Sequence, residues 1–168
     1  MNLQLTIGQL CKIFELEDSA QDDTLLVNEV VYDTRTLVRG VGKMFFALQG
    51  KYRNGASFVE DAYQKGVRVF VVQKKPHKAY LDAVYLQVSD PLDALMKLAK
   101  WHRVHFDIPI IAIIGTHGKT TIKEWLGRLL KRKYRLVKSP KSYNSKLGAA
   151  LSILELHSSA DIGLFELS

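Results

Sequence analysis

Apolar residues recur along this chain with two periods, one helical and one extended. Ile7, Leu10, Cys11 and Phe14 fall on one face of a short helix predicted over 6–14. From 27 to 88 short β-rich runs alternate with helical stretches. Strands are predicted over 27–32, 44–48, 67–72 and 84–88, with a helix over 57–65. Gly66 stands where a glycine ending a helix permits a left-handed backbone, and Lys74-Lys75-Pro76-His77-Lys78 reads as a polar loop. Together these make a small α/β unit.

A second pattern begins at Asp90-Pro91-Leu92-Asp93. Asp90 can cap free N–H groups, Pro91 suits the first helical position, and Asp93 favours the positive end of the dipole. The helix runs to about Val104 and connects two domains. Residues 108–114 then read as a buried strand that starts a new sheet, followed by a helix over 118–133, a strand over 134–137, a helix over 145–156 and a strand over 162–167. Strands alternating with helices imply a parallel sheet with helical crossovers. The predicted organisation is an α/β domain over 1–89, a connecting helix over 90–107, and the first part of a second α/β domain over 108–168. A doubly wound domain rarely stops after three strands, so the sequence is expected to be a fragment whose catalytic inventory is incomplete.

Composition narrows the class. The 168 residues are 47% hydrophobic and 24% charged, enough to bury a core. The longest apolar run, Pro109-Ile110-Ile111-Ala112-Ile113-Ile114, is far below the roughly 20 residues a membrane span needs. No secretory signal opens the chain and Cys11 is its only cysteine, so a disulfide-free cytoplasmic protein is expected. The net charge of +7 is uneven: 119–146 is dense in lysine and arginine, with Glu124 as its only acid. A solvated helix face, an anionic small substrate and nucleic acid are the three readings of such a run.

The strand over 108–114 leads into Gly115-Thr116-His117-Gly118-Lys119-Thr120-Thr121 and then a helix, the arrangement that phosphate binding requires. Gly115 and Gly118 let the backbone turn sharply and approach an anion, and the N–H groups of the helix start point outward. Lys119 would place its charge on the β- and γ-phosphates of ATP, and the Thr120 hydroxyl is placed to ligate Mg²⁺. The strict loop pattern would need glycine at position 113, where this chain has Ile113, so the loop is a variant. His117 can contact nucleotide or simply face solvent. His102 and His105 lie three apart on one predicted helix face, but no third metal ligand accompanies them, and helix surface or packing is their default role.

The segment 111–121 resembles the nucleotide loop of Mur ligases, usually Gly-Thr-Asn-Gly-Lys-Thr, which folylpolyglutamate synthetases share. The upstream runs separate the two. Tyr32-Asp33-Thr34-Arg35, Gly42-Lys43-Met44-Phe45-Phe46-Ala47-Leu48-Gln49-Gly50 and Asn54-Gly55-Ala56-Ser57-Phe58 are similar to the Asp-Ser-Arg, Leu-Phe-Val-Ala-Leu-x-Gly and Asp-Gly-His-x-Phe signatures of the Mur domain that holds the uridine nucleotide. His117, Ala56 and Thr34 depart from the usual asparagine, histidine and serine. Within the family, Lys138-Ser139-Pro140-Lys141-Ser142-Tyr143-Asn144-Ser145-Lys146-Leu147-Gly148 resembles the post-loop region of the branch that adds D-alanyl-D-alanine, in the wording of the variant fused to an alanine racemase. Leu164-Phe165-Glu166-Leu167 is similar to the strand bearing a magnesium-ligand glutamate.

The resemblance implies an ATP-dependent amide ligase of peptidoglycan synthesis. ATP would phosphorylate the terminal carboxylate of UDP-N-acetylmuramoyl-tripeptide, and the amine of D-alanyl-D-alanine would attack the acyl phosphate. It assigns Lys119 a catalytic role on the phosphates, 115–121 to ATP, and Thr120 and Glu166 to Mg²⁺. Asp33, Thr34, Arg35 and Phe46 would meet the UDP-sugar. Asn144 and Ser145 would meet substrate phosphate or cap the next helix. Taken without the loop downstream, Asp33 and Arg35 read first as a surface ion pair. The rivals are another Mur or folylpolyglutamate-type ligase and a basic nucleotide- or nucleic-acid-binding module without catalysis, although between Gly127 and Lys146 only Tyr134 and Tyr143 interleave with the basic residues.

Overall fold

In the computed structural model, which describes residues 3–17, 25–50 and 54–168, the alternating pattern resolves into two units, Met1–Lys97 and Leu98–Ser168. Helix α1 (Ile7–Phe14) opens the first. The Thr6 hydroxyl accepts from the Gln9 N–H at 3.3 Å, and the Gln9 side chain accepts from the Thr6 N–H at 2.9 Å. This reciprocal pair satisfies two donors that a helix start otherwise leaves open. Ile7, Leu10, Cys11 and Phe14 are all buried, as their spacing predicts.

Strands β1 (Leu5–Thr6) and β2 (Leu26–Val27) form an antiparallel pair. Next to it in sequence, β3 (Glu29–Val31), β4 (Lys43–Phe46), β5 (Val69–Val72) and β6 (Val84–Gln87) make a wholly parallel sheet in that order. The run predicted as one strand over 27–32 is thus two. Asn28 lies at the break, donating its N–H to the Gly42 carbonyl at 2.7 Å and accepting from the Leu3 N–H at 3.1 Å. A two-residue pairing carries no periodic signal of its own, which is why β1 escapes a pattern reading.

Parallel neighbours need a crossover, and between β4 and β5 it is a 3₁₀ turn over Gly55–Phe58 continued as helix α2 (Val59–Gln64). Gly66, at φ 96°, turns the chain out of it as expected. Register aligns Val31, Phe45, Phe70 and Tyr85 across the four strands. Phe45 meets Phe70 edge-on at 6.4 Å and Tyr85 stacks on Phe70 at 5.3 Å. Val59, Ala62 and Val67 from the crossover close over this row.

Helix α3 (Pro91–Arg103) begins where Asp90 accepts from the Leu92 N–H at 2.8 Å, and its residues from Leu98 onward belong to the second unit. That unit continues β7 (Ile110–Ile113), α4 (Lys119–Leu130), β8 (Leu136–Lys138), α5 (Lys146–Leu154) and β9 (Ile162–Glu166). The three strands are parallel in the order β7-β9-β8. Central β9 is buried along its whole length. The expectation of a buried strand over 108–114 needs correction, since β7 is only half-buried and Ala112 is exposed. Its position explains this: among the described residues β7 pairs on one side only, with β9.

An ion pair fastens the starts of β8 and β9. Arg135 reaches Asp161 with Nε at 3.0 Å and Nη2 at 2.6 Å, and its backbone N–H donates to the same carboxylate at 2.7 Å. The guanidinium hydrogen bonds, ahead of the backbone donor, hold the Asp161 carboxyl down at about 2. Behind the sheet, Val137, Leu156, Ala160 and Phe165 form a core with Phe106, Ile108, Ile110 and Ile153 around it.

The aromatic row of the first unit gives a direct stability test. Phe70 is fully buried between two rings, so Phe70→Ala leaves a cavity and should destabilise that unit by about 3–5 kcal/mol in urea denaturation. A loss below about 1 kcal/mol would mean that the row does not carry the packing assigned to it.

Candidate phosphate and metal site

Because β7, β8 and β9 are parallel, the segments that follow their carboxyl ends gather on one side of the sheet, where ligands bind in open α/β folds. Register sharpens this. Ile113, the last residue of β7, pairs with Glu166, the last residue of β9. The glycine loop therefore leaves the sheet beside the Glu166 carboxylate.

Gly115 has φ 151° and Gly118 φ 74°, conformations that side chains disfavour, while a Cβ built on either would meet nothing within 4 Å. Glycine is needed here for backbone shape, and the space above the loop is open. Gly118 is the N-cap of α4 and offers no capping side chain, so the N–H groups of the first turn are left for an external acceptor. Lys119 folds back to donate to the Gly115 carbonyl at 2.7 Å. An ammonium held only by a carbonyl keeps its charge available to an anion over the loop. The exposed His117 ring lies 3.2 Å from the Thr116 hydroxyl, a contact within the turn. Thr121 is exposed on α4.

Thr120 points the other way, toward Glu166. Its hydroxyl lies 3.0 and 2.9 Å from the two carboxylate oxygens, and the Ser142 hydroxyl is 3.3 Å from it. Asn144 donates its side-chain amide to Glu166 Oε1 at 3.2 Å. From below, Lys123 Nζ stands 3.3 Å from Oε2. The Glu166 backbone N–H donates to the buried Ser139 hydroxyl at 3.2 Å. Glu166 is 1% exposed, so all of its polar atoms depend on these neighbours.

These donors match magnesium in kind. A hydroxyl and a carboxylate are hard oxygen ligands, and Mg²⁺ is held by one or two carboxylates with water and phosphate completing its shell. A site built on side chains alone is another matter, since no cluster of three histidine, cysteine or acidic groups occurs among the described residues. His102 and His105 fit that picture. The buried His102 ring bonds the Leu156 carbonyl at 2.9 Å and packs on Phe106, while His105 turns to the Trp101 carbonyl at 2.8 Å. Burial lowers the His102 pKa, disfavouring the charged ring.

The loop after β8 is fixed from two sides. Ser145 caps α5, its hydroxyl oxygen accepting from the Gly148 N–H at 3.2 Å. Gly148 itself lies against the loop, for an added Cβ would come within 2.8 Å of the Tyr143 backbone. Side-chain bulk there would displace Asn144 from Glu166. Lys138 and Glu124 join β8 to α4 at 2.5 Å, and the Lys138 hydrogen bond is the chief cause that lowers the Glu124 pKa.

In the first unit the expected uridine residues divide. Asp33 caps a 3₁₀ turn over Thr34–Thr36, accepting from the Arg35 N–H at 3.0 Å. Its carboxylate also takes the Arg35 fork, at 2.9 Å from Nε and 2.6 Å from Nη2, and this bonding raises the Arg35 pKa. Arg35 nevertheless keeps 72% of its side chain exposed. Thr34 is buried, its carbonyl accepting from Lys65 at 2.8 Å. Phe46 needs correction as a ligand contact: its ring is fully buried, edge-on to Phe14 at 6.2 Å, and serves the core.

Lys123 and Ser139 are the site residues that the sequence reading passed over. Lys123 follows Thr120 by three positions on a helix, the spacing that shares a face, and that is the signal that was available. Nothing in the sequence marks Ser139, which acts only through its place at the end of β8.

Comparison with known proteins agrees with this geometry. Residues 113–168 match the Mur ligase middle domain. The UDP-N-acetylmuramoyl-tripeptide--D-alanyl-D-alanine ligase of Synechocystis is 31% identical over 172 residues, covering 100% of this chain and 37% of its own. Crystal structure I of MurF from Acinetobacter baumannii superposes with a TM-score of 0.88 at 26% identity, over 99% of this chain and 36% of that one. The MurF ligase of Thermotoga maritima in complex with ADP gives 0.72 at 29% identity, over 87% and 33%. The chain thus spans about a third of the length of its relatives. The chain belongs to the Mur ligase family.

Proposed function

We propose that this chain supplies the uridine-nucleotide and ATP-phosphate sites of a ligase that joins D-alanyl-D-alanine to UDP-N-acetylmuramoyl-tripeptide through an acyl phosphate. The observation that carries the reading is the register of β7 with β9, which sets an open glycine loop and helix start beside a buried, hydroxyl-bonded carboxylate. The names of the relatives support the substrate pair.

In this reading the first-turn amides of α4 and Lys119 hold the β- and γ-phosphates of ATP. They oppose the charge that would otherwise repel the substrate carboxylate from the phosphoryl group. Bound Mg²⁺ would supply Lewis-acid charge at the same phosphates, held by the Thr120 hydroxyl and Glu166. Asn144 keeps Glu166 oriented, and Ser139 fixes its backbone. Arg35, preset by Asp33, offers its exposed guanidinium to the uridine diphosphate. Thr34, buried with its carbonyl held by Lys65, keeps the turn in place. The contribution of this chain is positioning and charge neutralisation, with chemistry residing in the bound groups.

Lys119→Ala removes a charge-assisted contact worth about 1.5–3 kcal/mol, so ATP affinity by calorimetry should fall about tenfold to a hundredfold. Unchanged affinity would contradict the loop assignment. Arg35→Ala should weaken binding of UDP-N-acetylmuramoyl-tripeptide about tenfold or more while leaving ATP affinity and the melting temperature in place, because the side chain is exposed. Equal binding of the UDP-sugar by the variant would remove Arg35 from the site.

A further inference from the structure

Among the described residues Lys123 is the only lysine or arginine that is buried, with a side-chain exposure of 0%. Its ammonium has three partners: Glu166 Oε2 at 3.3 Å, the Lys141 carbonyl, and Glu124 Oε1 at 3.7 Å. It thus donates to the loop carbonyl of Lys141 and pairs with the carboxylates of Glu166 and Glu124. A lysine so placed cannot reach an anion above the loop.

Its effect on a cation is a matter of charge. Glu166 brings one negative charge to the site and Lys123 one positive charge, while Glu124 is matched by Lys138 at 2.5 Å, so these groups together present no net attraction to a free divalent ion. Lys119 adds a further positive charge at the loop. An ion leaving water for this place would give up its hydration for a carboxylate that an ammonium already shares. Nucleotide phosphate reverses the balance by bringing several negative charges to the loop.

We infer that Lys123 is a positioning residue, a resident counter-cation that holds Glu166 in place and withholds the site from free divalent metal until nucleotide phosphate is bound. This deepens the reading given above and rests on it, since it takes Glu166 as the metal ligand. Lys123 touches neither substrate nor phosphate, and it acts through Glu166 and the loop carrying Lys141.

Binding of Mn²⁺, as a paramagnetic probe, to the full 168-residue chain tests the inference without catalysis. Free Mn²⁺ is counted by electron paramagnetic resonance, with and without a non-hydrolysable ATP analogue, and the Mn²⁺ held by the analogue alone in protein-free titrations is subtracted. The wild-type chain should bind Mn²⁺ about tenfold or more tightly when the analogue is present. Lys123→Gln should tighten nucleotide-free binding by about tenfold or more and shrink the effect of the analogue, whereas Lys123→Arg should behave as wild type. A merely structural lysine would give weaker or unchanged metal binding on removal, and that result overturns the inference. Should the Lys123 variants not fold, the unaltered chain decides: Mn²⁺ binding as tight without the analogue as with it overturns the inference. Absence of Mn²⁺ binding even with the analogue would defeat the proposed metal site and this inference with it. Binding that needs the analogue, together with an unaltered Lys123→Gln, would defeat this inference alone.

Discussion

A carboxylate buried at the end of a central strand sets the terms for the second unit of this chain. Glu166 has 1% of its surface exposed, and a charged group withdrawn from water must find its hydrogen bonds and its counter-charge nearby. Each neighbouring segment answers one part of that requirement. Helix α4 brings Thr120 and Lys123, the loop after β8 brings Asn144, and Ser139 takes the backbone N–H. The loop and helix that would hold phosphate are thereby tied to the central strand through this side chain. Close packing of Gly148 on the Tyr143 backbone keeps Asn144 within reach, so the small residue on α5 belongs to the same constraint.

Parallel strands make this possible. In the order β7-β9-β8 the last strand of the chain is the middle one, and its carboxyl end lies between the segments that leave the other two. Sequence distance is large, Thr120 and Glu166 being 46 residues apart, yet the register of β7 with β9 makes them neighbours. The first unit uses the same parallel geometry with a different filling. Its row of Val31, Phe45, Phe70 and Tyr85 is a packing device, and its polar turn at Asp33–Arg35 sits just beyond the end of β3.

How much of this was legible beforehand follows from where each signal is local. Helix α1, the Asp90 cap of α3, the left-handed Gly66 and the strand–glycine loop–helix order all depend on residues a few positions apart, and the sequence displays them. The two-residue strands β1 and β2 have no period to detect. The order β7-β9-β8, and with it the exposure of β7, depends on pairing between distant segments. Phe46 stands within a run that resembles a ligand-binding signature, but alternation along β4 turns its ring into the core against Phe14. Lys123 was counted as part of a basic run, and only the fold shows that one lysine of that run is buried while its neighbours are not.

The central claim is that the carboxyl end of the second sheet is a nucleotide-phosphate site organised around Glu166. Titration of the isotopically labelled chain with Mg·ATP, followed by amide nuclear magnetic resonance, addresses it most directly. The account predicts saturable shifts in the amides of 115–121, and with the same affinity in those of Asn144 and Glu166, which face the loop across the sheet end. Shifts confined to the exposed basic residues of 128–135, or none at the loop, would contradict it.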